Sequence, residues 1–284
     1  MDPGSGSVTH RVLCRGTDEQ RVEALNRVAG AVAERGDAAR LSLRGRTSVG
    51  NLSPYTQRLL DERFERVPDD EVRNGSGDPE FRVDLPDGAD ALVDALTVEE
   101  SESPDNWGAA GENHWRVYEV GELFIVRNGE CLYRSVPHHS QQYLNADVDP
   151  DAPARANEAL AGRPSVVVPE DPLVEWDEYA ISCYEFRAPE QSPGLDDLRR
   201  VYVDDARADL VFDWTTPSER VEASESRVAR ALGKATLGLF SLVDDPDAMP
   251  ERISVDDRET FDAAVEALAE ANERGEHEFD IVRS

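Results

Sequence analysis

The first part of the chain alternates between the apolar spacing of strands and that of helices. Residues 10–14 predict a short strand, and Thr17 with Gln20 three positions later predicts a capping box that opens a helix. Apolar residues then recur at helical spacing, at Val22, Leu25, Val28, Ala29 and Val32. Residues 40–44 alternate as a half-buried strand does, and Pro54 after Ser53 begins a second helix.

The longest stretch without an apolar period covers residues 98–113. It is acidic, contains glycine and serine, and is interrupted by Pro104. Because a structureless run of this length is uncommon inside a compact domain, it predicts a linker or else an exposed loop. We therefore expect a flexible tail at residues 1–7, an N-terminal αβ subdomain at 8–97 and a second subdomain at 114–284. One continuous domain is the alternative.

From residue 114 onward, short runs rich in aromatic and β-branched residues predict strands. Gly121 separates the first pair of runs and Asn128-Gly129 the second, and an Asn-Gly pair between such runs is the strongest short signal for a hairpin. Residues 114–136 therefore predict an antiparallel meander. Residues 201–214 predict another hairpin, and residues 257–274 predict a helix with one apolar face.

A long helix is predicted between that hairpin and the last helix. Thr216, Pro217 and Glu219 combine an N-cap, a first-turn proline and a capping acid, which starts a helix over 217–243. This helix is apolar on several sides, so it is buried within its own domain or against a second subunit. A homodimer or another protein partner bound through it is the functional alternative.

Together these elements predict an α+β fold. Its parts are an N-terminal αβ layer, a mostly antiparallel sheet with a meander, and a C-terminal helical pair packed on the sheet.

The charge of the chain indicates the kind of solvent in which the protein works. There are 60 acidic residues against 30 basic ones, a formal net charge of −30, and Lys234 is the single lysine. Self-repulsion of this size works against the compact state in dilute buffer, whereas molar salt screens it. The sequence therefore predicts a protein adapted to high salt. A GC-rich genome would explain the missing lysine but not the acidity.

The sequence predicts a soluble, cytoplasmic protein without a membrane segment. No run approaches 18 apolar residues, and the N-terminus lacks the pattern of a signal peptide. The three cysteines are few and scattered, which fits a reducing compartment. The acidity counts against nucleic acid as a partner, although less so in a protein adapted to salt.

Several familiar sites are excluded by their motifs. The chain has no G-x-G-x-x-G after a strand, no H-E-x-x-H, no paired C-x-x-C and no G-x-S-x-G. Gly45 and Gly50 have the spacing of a phosphate-binding loop, but Asn51-Leu52 stands where the lysine and hydroxyl should be. No cofactor can be assigned from the sequence.

Cys14 is the first candidate for catalysis. It ends a strand just before a helix N-terminus and beside Arg15, a position that can lower the pKa of a thiol. A phosphatase-type loop would place an arginine six residues later, where Gln20 stands, and Arg21 is one position late. The alternative is a small buried residue at the end of a core strand.

Two groups of residues could hold a metal ion. His114, Cys131, His138 and His139 fall within 26 residues, and imidazole with thiolate suits zinc or iron, with His138 and His139 as catalytic candidates. Asp209 and Asp213 point to the same side of a strand and could hold a divalent cation. A solvent-exposed helix start for the histidines, and an acidic surface for the aspartates, are the alternatives.

Arg40, Arg44 and Arg46 form a local basic cluster. They could contact phosphate in a nucleic acid or an acidic partner, or they could form ion pairs with acids of the same chain.

Three functions remain open for this sequence. A non-catalytic interaction or regulatory protein comes first, because no nucleophile, base or cofactor loop is recognisable. A metal-assisted hydrolase that uses His138, His139 and nearby acids is the second, and a nucleic-acid-associated factor is the third.

Overall fold

The computed structural model describes residues 8–43, 54–68, 71–72, 79–96, 98–99, 114–115, 120–189, 191–215, 219 and 251–283. The chain forms two compact units, Met1–Glu170 and Asp171–Ser284. Strands from before and after residues 98–113 are neighbours in one sheet of the first unit. The compact units thus divide after Glu170, whereas the sequence pattern places its linker at 98–113. No helix among these residues is long and apolar enough to cross a membrane.

The first unit is built on an antiparallel sheet of eight strands in the order β10-β1-β9-β8-β7-β2-β4-β3. The strands are β1 His10–Cys14, β2 Ala38–Leu43, β3 Glu65–Arg66, β4 Glu80–Asp84, β7 Val120–Arg127, β8 Glu130–Val136, β9 Gln141–Leu144 and β10 Ser165–Pro169. A separate pair consists of β5 Val98–Glu99 and β6 His114–Trp115. The helices are α1 Asp18–Ala33, α2 Pro54–Arg63, α3 Ala89–Ala95 and α4 Ala152–Ala159.

The start of α1 confirms the predicted capping box. The Thr17 hydroxyl accepts a hydrogen bond from the Gln20 amide at 3.3 Å, and the Gln20 side chain accepts one from the Thr17 amide at 2.9 Å. The helix packs against α3 and α4. The apolar residues of α1 pack with those of the sheet in one core. This packing fixes the start of α1 close to the end of β1, where Cys14 lies.

The predicted hairpin at Asn128-Gly129 is also confirmed. Asn128 has φ 53° and Gly129 has φ 81°, the left-handed backbone that a two-residue turn between antiparallel strands requires. The predicted turn at Gly121 is wrong, because β7 runs through Gly121 and β6 pairs with β5 in the separate sheet. The meander consists instead of β7, β8 and β9.

The pairing of β8 with β7 shifts register at Val126 of β7. In β8, Leu132 and Tyr133 are adjacent in sequence and are both fully buried. A bulge of this kind turns two successive side chains toward the same core.

The second unit contains a four-stranded sheet in the order β16-β15-β14-β17 and a small three-stranded sheet, β11-β12-β13. The strands are β11 Val174–Trp176, β12 Tyr179–Ile181, β13 Phe186–Arg187, β14 Leu198–Asp204, β15 Asp209–Trp214, β16 Arg252–Ser254 and β17 Asp280–Arg283. The strands β14 and β15 form the hairpin predicted at 201–214. The strand β17 runs parallel to β14, and helix α5 (Arg258–Arg274) lies in the long connection that such parallel pairing requires.

The α+β class is confirmed, but the C-terminal helical pair is not. In the part of the second unit that the structure describes, α5 is the one long helix. It begins after Asp257, whose side chain accepts a hydrogen bond from the Thr260 amide at 2.7 Å. Its buried residues pack with those of the four-stranded sheet. Apart from Glu219, the residues of the other predicted helix, 217–243, lie outside the described residues.

Candidate functional site

Cys14 lies at the end of β1 in a buried polar chain of hydrogen bonds. The Gln142 side-chain amide donates to the Cys14 Sγ at 2.9 Å, and the Tyr133 hydroxyl donates to the Gln142 carbonyl oxygen at 2.8 Å. Burial raises the pKa of the Cys14 thiol to about 11, although Gln142 and the charge of Arg21 act in the opposite direction. Since the thiolate is the nucleophilic form, this environment holds Cys14 in its unreactive form at neutral pH.

A shallow cleft adjoins this polar chain. Arg21 from the first turns of α1 lines it, together with Ser135, Ser140 and Gln142 from β8, β9 and the turn between them. These side chains could receive a small polar group. Gln142, which donates to the Cys14 Sγ, is among the lining residues, but Cys14 itself is not.

The candidate histidines lie on two different parts of the fold. His114 is in β6 of the two-stranded sheet, whereas His138 and His139 are in the 3-10 turn Pro137–His139 after β8. His139 is exposed, and the side chains of His114 and His138 lie outside the description. Among the residues described, no three or more His, Cys, Asp or Glu side chains lie close enough together to hold a metal ion.

Asp209 is buried at the start of β15 and already has partners. Its carboxylate accepts hydrogen bonds from the Ser254 hydroxyl at 2.5 Å and from the Arg252 Nε at 3.1 Å. The Ser254 hydroxyl and the Arg252 guanidinium lower the pKa of this carboxyl group. Asp213 is four residues further along the strand, about 13 Å away at the rise of a β-strand, so the two carboxylates are too far apart to ligate one ion directly.

Arg40 has a partner from a neighbouring strand, while the other two arginines of its cluster lie outside the description. Arg40 lies in β2, and its guanidinium is 3.2 Å from the carboxylate of Glu80 in β4. The two side chains are 15% and 5% exposed. Arg40 thus forms an ion pair within the chain, as one of the sequence alternatives states. Arg44 and Arg46 belong to the part of the chain about which the structure says nothing.

Arg40 also belongs to a row of residues that the sequence did not reveal. Six residues on neighbouring strands lie directly opposite one another across the sheet. From β1 to β4 they are Arg11, Tyr143, Arg134, Phe124, Arg40 and Arg82. Direct cross-strand neighbours are about 5 Å apart, so these side chains form one continuous stripe, which we call the arginine–aromatic row.

The row lies on the face of the sheet that points away from the helices. Residues beside its members in sequence, such as Val12, Ile125 and Leu41, are buried in the core that contains α1. Successive residues of a strand point to opposite faces, so the row occupies the other face. Its arginine side chains retain solvent contact, with 38% of Arg134 and 44% of Arg82 exposed.

Within the row the guanidinium groups stack on the rings. Arg11 lies over the ring of Tyr143, 5.5 Å from its centroid, and Arg134 lies over Phe124 at 5.8 Å. Such contacts hold a flexible arginine in one orientation and leave a planar, partly apolar surface.

Each arginine of the row also pairs with an acid of the same chain. Arg11 bonds Glu170 through two nitrogens, at 2.6 and 2.8 Å, and Arg134 donates to Glu122. The other two pairs join Arg40 with Glu80 and Arg82 with Asp84. Four arginines therefore face four carboxylates, and the row is electrically balanced within a chain whose net charge is −30.

No protein-family model matches the chain, and neither a curated protein nor a solved structure shows a significant match.

Proposed function

We propose that this chain is a non-catalytic binding protein of a high-salt cytoplasm, and that the arginine–aromatic row is its binding face. The observation that carries the proposal is the row itself, a continuous stripe of arginine, tyrosine and phenylalanine on a partly exposed sheet face. These residue types are enriched in protein interfaces and dominate their binding energy. A rigid sheet also presents them without an ordering cost on binding.

The surroundings of the catalytic candidates support binding over catalysis. The Cys14 thiol is held protonated by burial, and the Asp209 carboxylate is engaged by Ser254 and Arg252. A metal-assisted hydrolase that uses His138 and His139 is the competing proposal. Elemental analysis of protein purified in molar KCl separates the two, since a stoichiometric transition metal would favour the hydrolase.

The proposal is tested by measuring what the row binds. The full chain is immobilised in molar KCl, exposed to soluble extract of its source cells, and the bound material is quantified by mass spectrometry. We expect the double variant Arg11→Gln/Arg134→Gln to retain about a tenth or less of the material that the unaltered chain retains, because hot-spot arginines contribute more than about 1.4 kcal/mol. Equal retention by both proteins would reject the row as the binding face.

The second unit provides a matched control. Arg200 lies over the ring of Tyr202 at 5.7 Å and is 2.9 Å from a carboxylate oxygen of Asp280. This arrangement repeats the contacts of Arg134 with Phe124 and Glu122, but on another sheet. We expect Arg200→Gln to leave the retained material unchanged. A loss equal to that of the row variant would show a general effect of lost arginine rather than a binding face.

Self-association is a separate proposal on the predicted helix 217–243. Light scattering in molar KCl tests it, and a monomer at all concentrations would contradict a homodimer formed through that helix.

A further inference from the structure

We infer that the cleft between α1, β8 and β9 is a binding site for a small tetrahedral oxyanion, the chemistry that inorganic phosphate and a phosphate monoester share. The cleft is lined by Arg21, Ser135, Ser140 and Gln142 together with three apolar residues. Its free space is about 270 Å³, part of it open to solvent. Pockets for drug-sized ligands begin at roughly 300 Å³, so this cleft receives one small group.

The site is independent of the arginine–aromatic row. Ser135 and Gln142 lie directly opposite one another in β8 and β9. Each is next in sequence to a member of the row, so each points to the other face of the sheet, on which α1 packs. A ligand in the cleft therefore does not touch the row, and the inference goes beyond the proposed function.

Three hydrogen-bond donors of the cleft suit an oxyanion. The Arg21 guanidinium brings a positive charge, and guanidinium groups bond phosphate oxygens through two parallel N–H groups. The Ser140 hydroxyl makes no hydrogen bond within the part of the chain that the structure describes. The Gln142 side-chain amide has two N–H donors, of which one is used on Cys14. Ser135 donates instead to a backbone carbonyl and forms a wall of the cleft.

The conformation of Ser140 argues that its hydroxyl is used. Ser140 follows the 3-10 turn Pro137–His139 and has φ 53°, in the left-handed region that favours glycine. Glycine would complete this turn without strain, so the serine destabilises the turn and adds only a hydroxyl group. Residues held in such conformations cluster at active sites and ligand-binding sites.

The charge around the cleft is that of an anion site within an acidic chain. None of the seven described residues that line it is acidic. Residues 131–146, which supply four of them, contain no Asp or Glu, although the chain has 60 acids among 284 residues. A carboxylate at this place would repel an anionic ligand, so the lack of acids is what such a ligand requires.

The polar groups behind the cleft are neutral as well. Burial raises the pKa of the Cys14 thiol to about 11, and it raises the pKa of the Tyr133 hydroxyl well above its ordinary value. Both groups are therefore uncharged at neutral pH, and neither repels an anion beside Gln142. The charge of Arg21 acts on Cys14, so the cation lies close to this neutral network.

The origin of the donors favours a tetrahedral group over a planar carboxylate. They belong to three elements, namely α1, the turn after β8, and β9, and not to a single edge. A carboxylate offers two oxygens in one plane, whereas a phosphate group offers three strong acceptor oxygens and more negative charge.

The experiment titrates the full chain with defined ligands. Inorganic phosphate, glycerol 3-phosphate and acetate are each added in molar KCl, and binding is measured by isothermal titration calorimetry. Chloride is present throughout, so the binding observed is selective over chloride. We expect one phosphate group per chain, and we expect acetate to bind about tenfold more weakly, as the loss of one charged hydrogen bond gives. The tighter of the two phosphate ligands identifies the source.

Three variants test the assignment of the donors. Arg21→Gln removes the charge and should weaken phosphate binding about tenfold or more. Ser140→Gly removes the hydroxyl but keeps the turn, and should weaken binding about threefold. Arg27→Gln is the matched control and should leave binding unchanged, because Arg27 lies in the same helix and pairs with Glu23, and neither lines the cleft. Hydrogen exchange of α1 and β9 verifies that each variant is folded.

Three results would overturn the inference. The cleft is not an oxyanion site if neither phosphate ligand binds the unaltered chain. The same holds if Arg21→Gln and Ser140→Gly both bind phosphate as tightly as Arg27→Gln. Acetate that binds as tightly as phosphate rejects a tetrahedral ligand. Retention through the arginine–aromatic row is a separate measurement, so either proposal can fail without the other.

Discussion

The two units of the chain differ in how densely they are charged. The first, residues 1–170, has 31 acidic and 18 basic residues, a net charge of −13, while the second, residues 171–284, has 29 and 12, a net charge of −17. The charge per residue is therefore about twice as large in the second unit. The excess of acidic residues is thus uneven along the chain, and the candidate binding face lies in the less acidic unit.

The outer faces of the two sheets show a related difference. Both carry an arginine stacked on a ring and paired with an acid, but in the first unit this arrangement occurs twice within a row of residues that spans six strands. In the second unit the ring of this arrangement is that of Tyr202, which lies directly opposite Val282 in the sheet. Both side chains are 40% exposed. A single stacked and paired arginine does not make a binding surface. Such a surface arises where the strand register places arginines and rings side by side on neighbouring strands.

The largest expected effect is a difference between the two units in how their stability depends on salt. When KCl falls below roughly 0.5 M, repulsion is less screened, so we expect the second unit to lose structure before the first. Hydrogen exchange followed by mass spectrometry measures this, through the amides of α5 against those of α1. Loss of protection in α1 before or together with α5 would contradict the link between charge density and salt demand.

The next effect concerns a buried carboxylate of the first unit. Asp149 is 2% exposed and accepts from Arg35 at 2.8 Å and from Arg127 at 2.7 Å. We expect Asp149→Asn to lower the free energy of unfolding by about 2 kcal/mol, because charged hydrogen bonds to two arginines are lost. Asp151→Asn is the control, since Asp151 is 72% exposed and 3.9 Å from Arg35. Urea denaturation in molar KCl should show a loss for the first variant only.

A smaller effect should appear on acidification. The hydrogen bond from Arg35 lowers the pKa of Asp149 in the folded state, below the unfolded value of about 3.9. The carboxylate therefore stabilises the fold fully above the unfolded pKa, and this contribution is lost as pH falls through the folded pKa. Urea denaturation between pH 6 and pH 3, in molar KCl, should show a shallower decline for Asp149→Asn than for the unaltered chain. Parallel declines would count against this role of Asp149.

The smallest expected effect concerns the reactivity of the Cys14 thiol, and its measurement leaves the fold intact. With a pKa of about 11, the Cys14 thiol is about 0.1% ionised at pH 8, against roughly a quarter for an ordinary cysteine. We expect iodoacetamide to alkylate Cys14 at least 100-fold more slowly in folded than in urea-unfolded protein. Peptide mass spectrometry resolves Cys14 from Cys131 and Cys183. Rapid labelling of folded Cys14 would restore it as a nucleophile.

Local signals in the sequence predicted local structure. The capping box at Thr17, the Asn128-Gly129 turn and the strands of 201–214 depend on residues close together in the chain, and each is present. The strand β9 was missed because it begins with two glutamines, of which Gln142 is buried through hydrogen bonds rather than apolar contact.

The candidate face could not be predicted in the same way. Arg11 and Tyr143 are neighbours across the sheet but lie 132 positions apart in sequence. A shift of one residue in any of the pairings would turn members of the row into the core. The only sequence signal is an arginine or an aromatic residue at alternate positions of several strands. In a chain with so many acids, each arginine is equally well explained as an ion-pair partner, so this signal does not indicate a binding face.

The position of β1 has a consequence for how the protein is made. This first strand lies between β9 and β10, and the residues that pair with it are synthesised more than 130 positions after their partners. Until then both of its edges lack their partners, and an open strand edge invites pairing with other chains. Contacts of such separation also close slowly, since a long loop must be ordered first. On the ribosome, the β7–β8 hairpin can therefore form before β1 has a place, and completion of the eight-stranded sheet waits for the chain to reach β10.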